Sequence, residues 1–330
     1  MKYSIQPRSA EGVNAGTKAV KDTSKILNRE GYKPFLVGSN YNGNHFYRLF
    51  ILLYDFIRLY YNSSPEDVFF IQWPYYNYFM PLFYWIVKKK CNHIQLLIHD
   101  INSLRGEVHG KWDFKFFQLS ELIIAHSDTM KSYLVGKGIP GVKVRVLTSF
   151  DYMTDEIIEG PRKNSDAIVY AGNLKKSTFL SLIPDNLGIT INCYGKAISG
   201  ISQMSKSLIY KTSFQPEHVS VLEGSWGLVW DGISLDGCVG DFGDYLKFNA
   251  PHKLSLYIVA EIPVIIWESS ALASYVKEKE LGITISSIKE IKDKIGIISD
   301  EEYQMIYQNV KKESKILRSG GHLITCLNNF

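Results

Sequence analysis

Short apolar runs alternate with helical patterns along almost the whole chain. The predicted strands are residues 2–6, 34–37, 68–72, 94–99, 122–125 and 144–147, followed by 167–171, 189–193, 227–230, 263–267 and 282–285. Helical patterns, such as residues 18–28 and 272–279, lie between most of these runs. Continuous apolar strands separated by helices form parallel sheets that are covered on both faces. The pattern therefore predicts an α/β fold.

The chain has 330 residues, which is long for one core and suits two domains. Residues 151–165 lose the strand and helix pattern and contain acidic residues, a glycine and a proline, so we predict a linker there. On each side we expect a doubly wound, Rossmann-like domain, over residues 1–150 and 166–299. Residues 300–330 form a mostly helical tail that could pack back across the first domain.

Composition narrows the possible classes of protein. The chain is 45% hydrophobic and 21% charged, and its net charge is only +4, which favours a soluble globular protein and not a nucleic-acid binder. Four scattered cysteines and the absence of a signal-peptide pattern favour reduced thiols in the cytoplasm. The aromatic segments 45–61 and 75–87 fall short of a membrane span, which needs about 20 apolar residues. The lysine run 88–90 is explained equally by contact with anionic lipid and by a solvated helix end.

Polar residues follow several predicted strands at the point where each strand ends. They are His99-Asp100, His126-Ser127, Gly172-Asn173, Asp231-Gly232 and Glu268-Ser269-Ser270. In doubly wound sheets, ligands bind outside the carboxyl ends of the strands, where the strand order switches. We therefore expect a ligand in a cleft between the two domains.

Asp100 is the best general base that the first half offers. It stands at a strand end, where its carboxylate can reach a hydroxyl group of a substrate. His99 is the alternative base. A third interpretation is structural, with Asp100 as a helix cap or as the ion-pair partner of Arg105.

The stretch from Gly240 to Tyr257 is a Gly/Asp loop that opens a helix near Pro251. The first helical turn carries His252 and Lys253, and cations there oppose the helix dipole. A phosphate-bearing ligand would reverse that cost, although a solvated basic helix start remains the alternative. Because the chain has no Asp-x-Asp pair, we expect Lys247, His252 and Lys253 to neutralise a leaving diphosphate without a metal.

Two further motifs are weak evidence for a function. The turn from Gly12 to Lys18 is one residue short of a nucleotide-triphosphate loop, so we interpret it as a glycine-rich turn that lets substrate approach the backbone, or as an ordinary turn. Tyr-x-x-x-Lys, typical of short-chain dehydrogenases, occurs three times by composition alone, and no dinucleotide fingerprint follows the first strand. Hydride transfer is therefore not expected.

Residues 242–253, Phe-Gly-Asp-Tyr-Leu-Lys-Phe-Asn-Ala-Pro-His-Lys, and residues 227–232 closely resemble the bacterial β-1,6-galactofuranosyltransferases of O-antigen assembly. The resemblance continues through residues 15–19, 21–22, 98–101, 170–174 and 287–290, in order over nearly the whole chain. Residues 98–100 and 227–230 and the Lys253 helix are more distantly similar to the streptococcal glucosyltransferases that act on serine-rich adhesins.

This resemblance implies a metal-independent GT-B glycosyltransferase, with two Rossmann-like domains facing across a cleft and a UDP-sugar as donor. The first domain would bind the acceptor and the second the nucleotide sugar. Lys253 would meet the diphosphate, while Lys176 and Phe214 stand where the distant family has arginine and tyrosine. The other expected donor-binding residues are Gly172, Asn173, Asp231, Gly243, Asp244, Lys247, Asn249 and His252, and the expected acceptor-binding residues are Ala15, Gly16 and Lys18.

The expected reaction is transfer of galactofuranose from UDP-galactofuranose to a saccharide acceptor, lipid-linked, in O-antigen or capsule synthesis. It would invert the anomeric carbon, with Asp100 as base and without a cofactor. We expect a cytoplasmic enzyme, peripheral at the inner face of the cell membrane, with homo-oligomerisation left open. The alternatives are UDP-glucose-dependent transfer in glycoprotein assembly and a non-catalytic subunit that binds a sugar nucleotide.

Overall fold

A computed structural model describes residues 1–7, 15–38, 44–75, 79–105, 108–160, 162–196 and 200–328. Within them the chain forms two compact units, one of Met1–Leu147 with the segment from Leu323 onward, the other of Thr148–His322. Each unit is built on a parallel sheet, of six strands as far as the described residues go. In the same part of the chain, no helix has the length and apolar character that a membrane span requires.

The sheet of the first unit has the strand order β2-β1-β3-β4-β5-β6. Its strands are β1 (Lys2–Gln6), β2 (Lys33–Leu36), β3 (Val68–Trp73), β4 (His93–Ile98), β5 (Leu122–Ala125) and β6 (Val144–Val146). The helices of this unit are α1 (Ala15–Arg29), α2 (His45–Asn62), α3 (Met80–Lys90), α4 (Asp113–Leu119) and α5 (Asp128–Gly136). The chain adds β2 on one side of β1 and β3 on the other, so the strand order switches beside β1.

Aromatic packing and one buried carboxylate hold the end of β3 against the loop that follows β4. The Trp73 ring lies 4.6 Å from the Phe116 ring, and its Nε1 donates a 2.9 Å hydrogen bond to Asp113 Oδ1. Asp113 Oδ2 accepts a 2.8 Å bond from the amide of Ser103. Burial raises the pKa of Asp113, although these hydrogen bonds oppose the shift. The loop that carries Asp100 is therefore anchored to α4.

The sheet of the second unit has the order β12-β11-β10-β7-β8-β9, so its strand order switches between β7 and β10. Its strands are β7 (Ala167–Ala171), β8 (Thr190–Tyr194), β9 (Leu208–Tyr210), β10 (Trp226–Val229), β11 (Val264–Trp267) and β12 (Gly282–Ile285). The helices that follow β8 are α6 (Ile201–Met204), α7 (Asp241–Tyr245), α8 (His252–Val259), α9 (Ala273–Glu278), α10 (Ile291–Gly296), α11 (Asp300–Ser319) and α12 (Gly321–Asn328). The predicted α/β class with two doubly wound sheets is confirmed.

Residues 151–160 and 162–165, predicted as a linker, contain no helix or strand. They belong to the second unit, where the Arg318 guanidinium donates to the carbonyls of Thr154 and Glu156 in this segment and of Val259 in α8. The two parts of the predicted helical tail belong to different units. Helix α11 packs on α8 in the second unit, while the described residues from Leu323 onward belong to the first.

A buried cluster of polar side chains lies where α11 ends. His322 Nε2 is 2.9 Å from Glu313 Oε1, and Nδ1 is 3.0 Å from the carbonyl oxygen of Ser149. Tyr275 donates a 2.8 Å hydrogen bond to the same Glu313 oxygen. Burial acts to lower the pKa of His322, but the bond to Glu313 and the charge of Asp151 outweigh it and raise this pKa. Burial raises the pKa of Glu313, but its bonds to His322 and Tyr275 prevail and lower it.

These shifts predict how stability depends on pH. The pKa of His322 is raised in the folded state. Its contribution to the free energy of unfolding is therefore complete below the ordinary histidine pKa of about 6.5 and is lost as the pH rises through the raised pKa. The Glu313 contribution is instead lost at low pH, as the pH falls through the lowered pKa.

Urea titrations followed by circular dichroism should show less stability at alkaline pH, and His322→Gln should flatten this decline. His218→Gln, at an exposed histidine paired with Glu156, is the control. Equal slopes in the wild type and His322→Gln would contradict the assignment.

Candidate functional site

A lysine ammonium lies at the switch point of the second sheet. Lys253, in the first turn of α8, places Nζ 2.6 Å from Asp231 Oδ1. The same nitrogen donates to the Trp230 carbonyl at 3.1 Å and to the Tyr170 hydroxyl at 3.0 Å. The Lys253 side chain is 13% exposed and that of Asp231 is 24% exposed. The positive charge is thus held at a fixed position and is still open to solvent, at the carboxyl ends of β7 and β10.

The buried side chain of Tyr170 helps to fix the position of the Lys253 ammonium group. Its side chain is fully buried on β7, with Lys253 Nζ 4.7 Å from the ring centroid. Burial, together with the charge of Asp231, raises the pKa of Tyr170 well above its ordinary value. The hydroxyl therefore stays protonated and serves as a hydrogen-bonding group beside the lysine. Sequence reasoning missed this residue because a tyrosine inside an apolar strand is usually core; its place two residues before Gly172 was the available signal.

Glycine leaves room for the lysine at this edge. A Cβ atom on Gly172 would lie 3.0 Å from Lys253 Cε, which is closer than such contacts normally are. Gly195 packs closely against Gly172, because a Cβ atom on Gly195 would lie 2.1 Å from the Gly172 carbonyl oxygen. Gly172 and Asn173 are both exposed. The backbone after β7 is therefore open beside the ammonium group, as a site that receives a bulky anion requires.

The Gly/Asp loop folds tightly between β10 and α8. A Cβ on Gly243 would lie 2.5 Å from the carbonyl carbon of Cys238, so only glycine fits there. Asp244 Oδ1 pairs with Lys247 Nζ at 2.8 Å, and both side chains are about half exposed. Lys176 places its Nζ 4.6 Å from the ring centroid of Phe242, on α7. Two more exposed cations therefore lie here, Lys247 on the loop itself and Lys176 on the turn that follows β7.

His252 does not supply the positive charge that the sequence predicted. Its ring stacks on Phe150, with the centroids 4.4 Å apart. Burial lowers the pKa of His252 to about 4, so the imidazole is neutral near pH 7. The prediction was wrong because nothing in the sequence indicates that Phe150 covers this histidine.

Two other predicted donor-site residues have different surroundings. The buried Asn249 Oδ1, just before α8, has no hydrogen-bond partner among the described residues. Phe214 packs edge-on against Tyr194 at the end of β8, with ring centroids 5.9 Å apart. Asn249 therefore has an acceptor atom available next to the lysine helix, whereas Phe214 helps to cover β8.

In the first unit, Asp100 follows β4 and its side chain is 37% exposed. Its Oδ2 lies 3.0 Å from Arg105, so the ion pair that was one of the alternatives is formed. His99 is tied to the neighbouring strand, because its Nε2 is 2.9 Å from Gln72 Oε1 on β3. Arg105 orients the carboxylate at the carboxyl edge of this sheet without burying it.

The predicted acceptor contact of Lys18 is corrected by the structure. Lys18 Nζ lies 2.6 Å from Asp22 Oδ1, one helical turn away, and the two side chains are only 2% and 1% exposed. A buried charge pair of this kind offers no amine to an acceptor. Ala15 and Gly16 begin α1, while residues 8–14 of the predicted glycine-rich turn lie outside the described residues.

Metal-ligating side chains are not clustered in the described part of the chain, where no group of three or more His, Cys, Asp or Glu residues could hold an ion.

Comparison with known proteins assigns the family. Residues 2–148 match the family model "Glucosyltransferase 3-like, N-terminal domain", and residues 168–330 match "Glucosyltransferase 3-like, C-terminal domain". The chain belongs to the glucosyltransferase 3-like family. The first match ends at the boundary between the two compact units, and the second begins at residue 168 within the second unit.

Two relatives and one solved structure extend this finding. The chain is 34% identical over 233 residues to the β-1,6-galactofuranosyltransferase WbbI of Escherichia coli K12, covering 68% of this chain and 67% of the relative. It is 24% identical over 204 residues to glucosyltransferase 3 of Streptococcus gordonii, covering 62% and 59%. Anabaena HepE, solved with UDP and glucose, superposes with a TM-score of 0.59 at 11% identity, covering 100% and 99%. The resemblance is confirmed, and the fold is of the GT-B class.

The contacts of Lys253 should contribute to the stability of the fold. Lys253→Met should lower the free energy of unfolding by about 1–3 kcal/mol, because it leaves the Asp231 carboxylate and the buried Tyr170 hydroxyl without their cation. The matched control is Lys289→Met in the same unit, whose pair with Asp236 is exposed and should change stability by less than about 0.5 kcal/mol. Urea midpoints measure both, and equal midpoints for the two variants would contradict the prediction that the contacts of Lys253 stabilise the fold.

Proposed function

We propose that the chain is a metal-independent glycosyltransferase that moves a hexose, galactofuranose, from a UDP-sugar to a lipid-linked saccharide acceptor. The observation that carries this proposal is the Lys253 ammonium, held beside Gly172 at the switch point of the second sheet. Family membership supports the reaction class, and the structure solved with UDP supports a nucleotide-sugar donor by similarity of fold.

The donor half of the proposal follows from charge. Anions bind outside the carboxyl ends of parallel strands and at helix N-termini, and Lys253 stands at both. Its three ammonium protons are already engaged by Asp231, Tyr170 and the Trp230 carbonyl. A diphosphate would therefore replace one of these partners, and the other two would keep the amine aimed at the leaving oxygen. The positive charge would stabilise UDP as the bond to the sugar breaks.

The acceptor half assigns the base to the first unit. In a single displacement, the acceptor hydroxyl oxygen forms a bond to the anomeric carbon and Asp100 takes its proton. UDP leaves with the electron pair of the bond to that carbon. Arg105 would hold the Asp100 carboxylate in place. A β-linked product from an α-linked donor would be formed by this inverting route.

The sugar is the finer part of the proposal. Galactofuranose rests on the 34% identity to WbbI, and we place the reaction in surface polysaccharide synthesis at the inner face of the cell membrane. The second candidate is transfer of glucose, favoured by the family description and by the S. gordonii relative. A screen with UDP-galactofuranose and UDP-glucose distinguishes the two.

Binding of UDP should depend on Lys253. Saturating UDP, at about 100 times its Kd, should stabilise the wild type by roughly 2.7 kcal/mol in a thermal melt. Lys253→Met should weaken UDP binding about 10–100-fold because a charge-assisted bond to phosphate is lost. Lys289→Met is the control, and melts in excess EDTA test metal independence. Unchanged affinity in Lys253→Met, or loss of binding in EDTA, would overturn the respective part of the proposal.

Transfer should depend on Asp100. We expect Asp100→Asn to reduce the transfer rate about 10²–10⁴-fold, since an amide cannot accept the proton, while the UDP-induced melt shift persists. Asp128→Asn, at an exposed aspartate in the first turn of α5, is the control. Mass spectrometry of the product measures the rate. Full activity in Asp100→Asn would exclude Asp100 as the base, and intact cellular glycan with this variant would favour a non-catalytic subunit.

A further inference from the structure

Helix α2 of the first unit is apolar on two opposite sides. Leu52, Phe56 and Leu59 face the core and are buried. Six further side chains are each more than half exposed: Phe46, Tyr47, Phe50, Tyr54, Ile57 and Tyr61. At about 100° per residue, these six fall within an arc of about 100° on the outer side of the helix. A contiguous exposed apolar surface on a folded protein usually marks an interaction site, so we expect the outer arc to contact a partner.

Helix α3 extends this surface. Trp85 is half exposed and stacks on Tyr60 of α2, with ring centroids 5.6 Å apart and the rings nearly parallel. Lys90 holds its Nζ 4.3 Å from the Tyr60 ring centroid. Lys88 and Lys89, in the last turn of α3, are exposed. The six α2 side chains together with Trp85 form what we call the aromatic face, and lysines lie beside it.

The charges on these two helices have one sign at the surface. The basic residues of α2 and α3 are Arg48, Arg58 and Lys88–Lys90, and the one acidic residue is Asp55, whose side chain is fully buried. The exposed charges that α2 and α3 themselves carry are therefore positive. Phe, Tyr and Trp beside Lys and Arg form the combination that suits the headgroup region of an anionic bilayer.

We propose that the aromatic face docks on the surface of an anionic lipid bilayer, with α2 lying in the interface. A second copy of the chain is the less favourable occupant, because a two-fold contact through this face would bring its lysines together. Three charged residues, Arg48, Asp55 and Arg58, interrupt the apolar sequence of α2. The helix would therefore lie on the bilayer and would not span it.

The position of the face suits a membrane-bound acceptor. Helices that follow parallel strands begin at the carboxyl edge of the sheet, so the N-terminal end of α2 lies at the edge where Asp100 follows β4. Docking through this unit would place the base near lipid-linked sugars. This step alone rests on the proposed function, whereas the docking itself does not.

Sedimentation of the full chain with vesicles tests the proposal. One vesicle is phosphatidylcholine alone, and the other contains equal parts of phosphatidylcholine and phosphatidylglycerol. The apolar variant carries Phe46→Gln, Phe50→Gln and Ile57→Gln, and the charge variant carries Lys88→Gln and Lys89→Gln. The controls are Met305→Gln and Ile297→Gln at exposed apolar positions, and Lys289→Gln and Lys292→Gln at exposed lysines, all in the second unit.

The wild type and the control variants should bind the anionic vesicles more tightly than the neutral ones. The apolar variant should lose at least tenfold in partitioning to both. The charge variant should lose about fivefold in partitioning per lysine, and only on anionic vesicles.

Absence of vesicle binding, or equal binding by all variants, would overturn the proposal. Analytical ultracentrifugation tests whether a second copy of the chain occupies the aromatic face instead. An oligomer that dissociates in the apolar variant would assign the face to contact between copies. The UDP-induced melt shift of the apolar variant reports folding and donor binding, so failure here is distinguishable from failure of the proposed function.

Discussion

The ion pair between Lys253 and Asp231 is the interaction on which the candidate site depends. Parallel pairing sets β7 beside β10, so that Tyr170, near the end of one strand, and Asp231, just after the other, both reach the same amine. Gly172 gives the lysine its space, and burial keeps the Tyr170 hydroxyl protonated. The strand order, an apolar strand and one glycine together fix a single positive charge where an anion can reach it.

Burial decides which lysine can bind a ligand. The pairs Lys18–Asp22 and Lys253–Asp231 have the same 2.6 Å separation. The first is almost completely enclosed, whereas the second is partly open to solvent. A buried pair stays paired because separating it exposes an uncompensated charge to the interior. The open pair can exchange one partner for a phosphate at much lower cost, which is why the same chemistry is structural in α1 and a candidate binding group in α8.

Much of the fold is readable in the sequence, because apolar strands and intervening helices repeat with little interruption. Strand β9 was missed because three residues, Leu208–Tyr210, carry too short a pattern. The site was less predictable, since its decisive contacts join distant residues. Phe150 packs on His252 from about a hundred positions away, and burial lowers the pKa of that histidine. Tyr170 looks like an ordinary core residue until the sheet brings it to Lys253. The pair Lys18–Asp22 has the i, i+4 spacing of a helix ion pair and could have been anticipated.

A crystal structure with UDP bound is the most direct measurement of the central claim. We expect the diphosphate to lie at the carboxyl ends of β7 and β10, with a phosphate oxygen about 2.7–2.9 Å from Lys253 Nζ. We also expect that one of the present contacts of Lys253, with Asp231, Tyr170 or the Trp230 carbonyl, is exchanged for that oxygen. A diphosphate bound elsewhere, with all three contacts of Lys253 intact, would contradict the proposed role of Lys253.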